Sequence, residues 1–415
     1  MRGRPMGLRG SRYCRRDTLA GVRIALVSDC YPPRVGGIEV QVAGLAAALR
    51  RAGHQTLVVT ATPGPPSADV LRLAAPVPLG APVNPGAGPH LRRVLADADV
   101  VHAHLGVLGP FAQQAAAVAN GLGLPTLLTW HSLPGASPLA LALAPTWRRL
   151  VEAGARPSAV SSLAASQLST LLRRRSVPVL PNGLDVAAWS ALAAPTRRTR
   201  TAAGDPVSAA TATGPPRVVS VMRFSARKRP AHLVALMSRV RGLSPAARRP
   251  RLTIVGDGPW WPALATMVRN SRLREWVELP GRLPPAGVAE RLRGADLYVA
   301  PSRREAFGIA ALEARCAGVP VAGYTGSGVR DVVQPGVGGL LETGDRALAA
   351  AVAELLADPD RLQRYAEHHR SNPPRRHDWS AVTATTLRHY EQAYRGHGRD
   401  HAGVEATDAR TSRGL

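Results

Sequence analysis

The stretch "SRREAFGIAALEARCAGVPV", residues 302–321, decides how the chain is read. Gly308 opens an apolar segment, and Gly318 followed by Pro320 closes it, the punctuation of a short helix. At about 100° per residue, Ile309, Leu312 and Cys316 share one face. Glu313 falls inside that face, and Arg315 points away. A carboxylate on a core-facing stripe is costly unless something pairs with it. Two readings compete: a buried acid bonded to backbone or to an arginine, or an acid that faces a polar ligand.

Working outward, the same strand–loop–helix unit recurs along the chain. "VRIALVS" (22–28), "TLVVT" (56–60), "DVVHAH" (99–104) and "PTLLTW" (125–130) read as buried parallel strands, continued more weakly by "SAVSS" and "VPVLPNG". A second series holds "RVVSV" (217–221), "LTIVGDG" (252–258), "WVELPG" (276–281), "ADLYVAPS" (295–302) and "VPVAGY" (319–324). Ala- and Leu-rich helical segments separate the strands. This alternation predicts βαβ units, hence an α/β chain of two Rossmann-like, doubly wound domains with a cleft between them. Ligands of such sheets sit beyond the carboxyl ends of the strands. Between the series, residues 191–216 lack periodicity and read as a linker or insertion.

The 415 residues are too many for one ordinary core, which also favours two domains. Lys and Arg outnumber Asp and Glu by 53 to 28, a net +25 that suits an anionic partner. Many of those arginines crowd into the first 16 residues, 197–200 and the 370s, so the total overstates any one surface. Arg92, Arg93, Arg148, Arg149 and Arg173–Arg175 fit either docking on an anionic membrane or a scattered, solvated surface. Nucleic-acid binding finds no aromatic-interleaved basic sheet and no helix-turn-helix pattern. A nicotinamide-dependent oxidoreductase lacks its full glycine fingerprint at the first strand–helix turn. Cys14, Cys30 and Cys316 form neither a disulfide framework nor a zinc spacing, which fits a reducing cytoplasm. The basic start is followed by no signal-peptide pattern, and no run approaches the ~18 apolar residues of a spanning helix. The short piece "SPLALALAP" (137–145) is the most lipid-compatible, and a core helix or loop explains it equally.

Three junctions look equipped for phosphate. Gly36 and Gly37 precede a helix carrying Ile38, Val42, Leu45 and Leu49, and adjacent glycines let backbone N–H groups approach an anion. Arg223 and Lys228 lie between strand 217–221 and a helix begun by Pro230, where two cations and a helix dipole suit a diphosphate; a solvated basic loop is the alternative. The third junction is the opening stretch. An Asp97–Asp99 pair in "ADADV" resembles a metal site, but it precedes its strand, so a turn or helix-end role is expected.

"YPPRVGGIE", "LRRAGH", "VVHAH", "TWHS", "VLPNGLD", "MRF…RKRP", "IVGDGP", "ADLYVAPSRREAFGIAALEARCAGVPV" and "QPGVGGLL" together span about residues 22–345. In this order they resemble the retaining, nucleotide-sugar-dependent glycosyltransferases of family 4, which have the two-domain GT-B fold. The resemblance implies domains over 21–190 (acceptor side) and 217–378 (nucleotide sugar). It also implies a closing helix over 379–395 that returns to the first domain, with a basic start (1–20) and a tail (396–415) expected to be disordered.

It further implies that Glu305 accepts hydrogen bonds from donor-sugar hydroxyls, helped by backbone N–H groups near Phe307 and Gly308. Glu313 would hold the ribose diol, Arg223 and Lys228 would neutralise the departing diphosphate, and His131 would stand beside the reacting sugar. Gly36 and Gly37 would line the donor-phosphate and acceptor side. Asn182 and His104 match motif positions for which packing is the favoured role. No metal and no cofactor are implied. The substrate would be GDP-mannose first and a UDP-sugar second, with a glycan or lipid acceptor. The chain departs from the pattern at Met222, where the family has Gly, and at Val329 after Gly328, so close approach to donor phosphate is in question there. A catalytically weak nucleotide-sugar-binding relative is the alternative.

Overall fold

In the computed structural model, residues 21–75, 82–135, 137–193 and 214–411 are described, with side chains as far as residue 395. The first half forms β1 (Arg23–Ser28), β2 (Gln55–Thr60), β3 (Val70–Arg72), β4 (Val100–Leu105), β5 (Thr126–Trp130) and β6 (Arg156–Ala159). They make one sheet in the order β3-β2-β1-β4-β5-β6. The second half forms β7 (Arg217–Val221), β8 (Arg251–Val255), β9 (Val277–Gly281), β10 (Leu297–Val299), β11 (Val321–Tyr324) and β12 (Gly339–Glu342). Their order is β12-β11-β10-β7-β8-β9. Counted from its own first strand, each sheet has the same order, 3-2-1-4-5-6. The registered pairs are parallel. β1 is buried from Ile24 to Ser28 and β4 throughout, as strands covered by helices on both faces must be. Two doubly wound sheets are therefore present, as the alternating pattern predicts.

This order reverses its winding between first and fourth strands and sets their following loops side by side. One acid at each sheet helps fix that pairing. Asp99 accepts from the Arg23 backbone N–H at 2.8 Å and Asp296 from that of Arg217 at 2.7 Å. Their own N–H groups return the bond to the Arg23 and Arg217 carbonyls, each at 2.8 Å. Asp99 also ion-pairs with Arg23 at 3.1 Å. It thus clasps β4 to β1 at their amino ends, the turn role expected for the Asp97–Asp99 motif.

By internal contacts the chain falls into two compact units. Among the described residues, one holds those within 21–129, 142–158 and 383–411, the other those within 130–141 and 159–382. Residues 159–190, expected to belong with the first domain, instead join the second unit. The reason is apolar: Val160, Leu184, Val186 and Trp189 lie in one buried cluster with Phe307 and Leu312. The helix Val186–Ala193 also takes the first three residues of the expected linker, while 194–213 and the basic start 1–20 lie outside the described residues. The final helix, Trp379–Thr411, runs past the expected end at 395 because no proline interrupts its backbone bonding. Within the first unit, Tyr390 bonds His102 at 2.9 Å and Tyr394 bonds the Asp99 carbonyl at 2.7 Å. "SPLALALAP" lies largely in the helix Pro138–Glu152, which buries Ala140, Ala144 and Trp147 and exposes Leu139 and Leu141. Among the described residues, no helix is long and apolar enough to cross a membrane.

Candidate functional site

The switch point of the second sheet lies between β7 and β10, and its two loops carry the chemistry. After β7 the chain alternates sharply. Met222 is buried, Arg223 is exposed, and Phe224 is buried against Trp261 with ring centroids 5.5 Å apart. The Met222 side chain belongs to the core, so the glycine missing there puts no bulk over the loop's exposed side. The "GDG" glycines explain themselves here. Gly256 (φ 141°) and Gly258 (φ 152°) run beside the Met222 and Phe224 carbonyls, where an added Cβ would collide.

Arg223 makes no hydrogen bond or ion pair among the described residues. A single 3-10 turn, Ala226–Lys228, then delivers Lys228, whose Nζ donates to Glu305 Oε2 from the loop after β10. Both side chains are mostly buried. This ion pair joins residues 77 positions apart.

Arg229 follows in the left-handed conformation (φ 58°), which costs a non-glycine residue roughly 1–2 kcal/mol. Its side chain holds it there. Nη1 and Nη2 grip Asp345 at 3.1 and 2.8 Å, and Nη1 also reaches the Pro301 carbonyl at 3.2 Å and the Tyr324 hydroxyl at 3.3 Å. Arg303 adds a bond to Asp345 at 3.0 Å. The Arg229 guanidinium beside Asp345 holds that carboxyl below its usual range. The network sews the β7 loop to the β10 loop and so positions Lys228 against Glu305. Sequence pattern does not disclose this network; its one local trace is the basic run "RKRP" (227–230), in which Arg229 looks no different from its neighbours.

Glu305, Phe307 and Gly308 lie on the β10 loop. The Glu305 carbonyl accepts from Gly328 N–H at 2.7 Å. The Phe307 side chain is buried and edge-on to His377, centroids 5.2 Å apart, so only its backbone is left for a ligand. Gly308 has φ 97°, and a Cβ there would stand 2.9 Å from Val329 Cγ2. Val329 is wholly buried, so this departure also points into the core.

The helix Ile309–Cys316 then presents Glu313. Its carboxyl has no hydrogen bond or ion pair among the described residues, and burial pushes its pKa up to about 8. The reading in which Glu313 is bonded to backbone or to an arginine therefore fails. Arg315, two residues on, donates to the Val332 and Asn372 carbonyls at 2.6 and 3.2 Å. Tyr298 has its pKa raised first by burial, then by the charges of Glu305 and Glu313.

His131, at the end of β5, is hydrogen-bonded to the Asn182 side chain, and burial lowers its pKa to about 4, so it is neutral at pH 7. Its loop runs beside that of Glu305: a Cβ on Gly135 would lie 3.8 Å from Arg304 Nη2.

Gly36 and Gly37 lie in the first unit and are described there. Gly36 has extended backbone (φ 177°), and the buried Glu39 carboxylate folds against its Cα, leaving no room for a Cβ. Asp29 likewise accepts from Phe111 and Ala112 N–H at 2.9 and 3.1 Å, and burial raises its pKa to about 6. Each helix N-terminus beside β1 and β4 thus already faces a carboxylate of the chain, which argues against phosphate there. His104 is buried against His102, ring centroids 4.0 Å apart.

Two family descriptions match the chain: Glycosyltransferase Family 4 over residues 35–188 and Glycosyl transferases group 1 over 205–372. The chain is 28% identical over 420 residues to a glycogen synthase of Mycobacterium tuberculosis, covering 90% of this chain and 96% of that one. It is 29% identical over 399 residues to a GDP-mannose-dependent alpha-mannosyltransferase of Mycolicibacterium smegmatis, covering 89% and 97%. Among solved structures it resembles sucrose-phosphate synthase from Thermosynechococcus elongatus, with TM-score 0.70, 22% identity, and 90% and 99% coverage.

Proposed function

Because the chain is a glycosyltransferase with the GT-B fold, we propose that it moves a hexosyl residue, in the first place mannosyl, from a nucleoside-diphosphate sugar to an acceptor hydroxyl with retention of configuration. The observation that carries this reading is two carboxylates on the loop and helix that follow β10, Glu305 held by Lys228 and Glu313 buried without a partner.

A partnerless carboxylate held largely out of water is an acceptor awaiting donors, and two adjacent ribose hydroxyls supply them. Glu313 takes that role. Glu305 accepts from hydroxyls of the sugar, and its ion pair with Lys228 holds it in place. As the glycosidic bond lengthens, positive charge grows on the sugar ring and negative charge on the diphosphate. Lys228 and the unpaired Arg223 stabilise the leaving group, an effect worth several kcal/mol when the cations are preorganised. The leaving phosphate takes the acceptor proton from the same face. Neutral His131, oriented by Asn182, offers a hydrogen bond without adding charge near the sugar. No metal and no cofactor are assigned. The first unit's loop with Gly36 and Gly37 is assigned to the acceptor, a glycan or lipid hydroxyl. The mannosyl choice is supported by the 29% identity to a GDP-mannose-dependent alpha-mannosyltransferase.

The test is a panel of radiolabelled nucleotide sugars with and without lipid acceptors. GDP-mannose turnover, with the product anomer assigned by NMR, is the expected result. Turnover of a UDP-sugar alone would overturn the mannosyl assignment, inversion would overturn the stereochemistry, and no turnover of any donor would overturn the whole reading.

A further inference from the structure

A second concave site lies in the same unit, lined by none of the residues assigned above. It encloses about 570 Å³, within the usual range for small-molecule sites. Arg315, Arg330, Arg375, Arg376 and His368 line it, with Asp331 as the only acid. That acid is already engaged: its two oxygens accept from Ser162 N–H and Ser162 Oγ, each at 2.5 Å. None of the four arginines has an ion pair among the described residues.

Two of the four are anchored. Arg315 donates to the Val332 and Asn372 carbonyls, and Arg376 to the Asp331 carbonyl and to His377 at 2.9 Å. These bonds fix the guanidinium groups without neutralising them. Arg315 Nε is buried with no acceptor. Arg330 and Arg375 are exposed and make no side-chain bond. Like charges gathered in a partly enclosed space repel one another, and burial, then Arg376, lower the pKa of Arg315. A multiply charged anion relieves that repulsion and meets planar donors of the geometry phosphate oxygens prefer.

We propose that this cavity is an anion site, separate from the donor site, that takes a di- or polyphosphorylated group. The group is either a soluble phosphorylated compound or a phosphorylated lipid headgroup. The proposal does not depend on the sugar donor assigned above.

Calorimetric titration of pyrophosphate at low salt tests it, using the full chain with Arg223→Ala and Lys228→Ala so that the donor site does not report. This protein should bind pyrophosphate, and adding Arg330→Glu and Arg375→Glu should weaken binding at least tenfold. Should the charge reversals lower the melting temperature, Arg330→Gln with Arg375→Gln gives the same comparison. Flotation with phosphatidylcholine vesicles containing phosphatidylinositol phosphate separates the sources. Vesicle binding displaced by pyrophosphate identifies a headgroup, and pyrophosphate binding without vesicle binding identifies a soluble compound. Absence of pyrophosphate binding, or binding indifferent to the charge changes at 330 and 375, would overturn the proposal.

Discussion

Replacing Glu313 by Gln should make the protein more stable at alkaline pH while weakening its hold on the donor. The carboxyl stands at about 8 in the fold against 4.5 when unburied, because burial opposes its charge. For an acid raised in this way the folded state prefers the protonated form. Its contribution is neutral below pH 4.5, where both states are protonated. Stability is then lost steadily as pH rises from 4.5 to 8 and stays lost above that. The ceiling on the loss is about 5 kcal/mol, 3.5 pH units at roughly 1.4 kcal/mol each. Glu313 keeps some solvent access, so about 2–4 kcal/mol is the working expectation. Gln has nearly the same volume and no charge to bury, so Glu313→Gln abolishes this slope. Urea unfolding of both proteins at intervals from pH 4.5 to 9 isolates the effect, since other titrating groups cancel in the difference. The curves should meet near pH 4.5 and diverge with Gln the more stable. Donor KM should rise in Gln, because the amide cannot accept from both ribose hydroxyls with two oxygens. A difference that is flat with pH, or that favours Glu at pH 9, would refute the claim that this carboxylate is held at a cost to stability in order to meet a ligand.

Further expectations concern the neighbouring residues. Glu305→Ala should lower kcat/KM by at least about 100-fold yet change urea stability by about 1 kcal/mol or less, the range for a partly exposed ion pair; near-wild-type turnover in the assay would remove Glu305 from the mechanism. Gly308→Ala should destabilise by about 1–3 kcal/mol, since both its positive φ and the 2.9 Å approach of Val329 exclude a Cβ. Adding Val329→Ala should restore only the steric part, and thermal melts of the two variants measure the split. Asp345→Asn should move acid unfolding to higher pH, because the Arg229 pair depresses that carboxyl and stabilises the fold only while it is ionised, above its unfolded pKa; an unchanged acid midpoint by circular dichroism would show that the pair does not anchor the loop. His131→Gln should slow transfer without removing any pH–rate limb near 6.5, since His131 is already neutral there.

Much of this molecule is written in local pattern. Within "VRIALVS", Ile24–Val27 are all apolar because helices cover both faces of a parallel strand, and that burial is visible residue by residue. Gly308 and Glu313 stand out for the same reason: each breaks the rule of its own segment. What no local pattern holds is which distant residues meet. Lys228 and Glu305, 77 positions apart, are joined because β10 pairs with β7. Arg229 finds Asp345 across 116 positions. Met222 and Val329 look like obstacles beside a ligand until the fold turns both into the core, and Glu39 looks like a solvated helix residue until it closes over Gly36. The four arginines of the cavity come from three separate segments, around 315, 330 and 375–376, each unremarkable in a chain rich in arginine. Periodicity reports the direction a side chain faces, set by backbone geometry within a few residues; partnership depends on sheet order and loop path, which only the assembled chain decides.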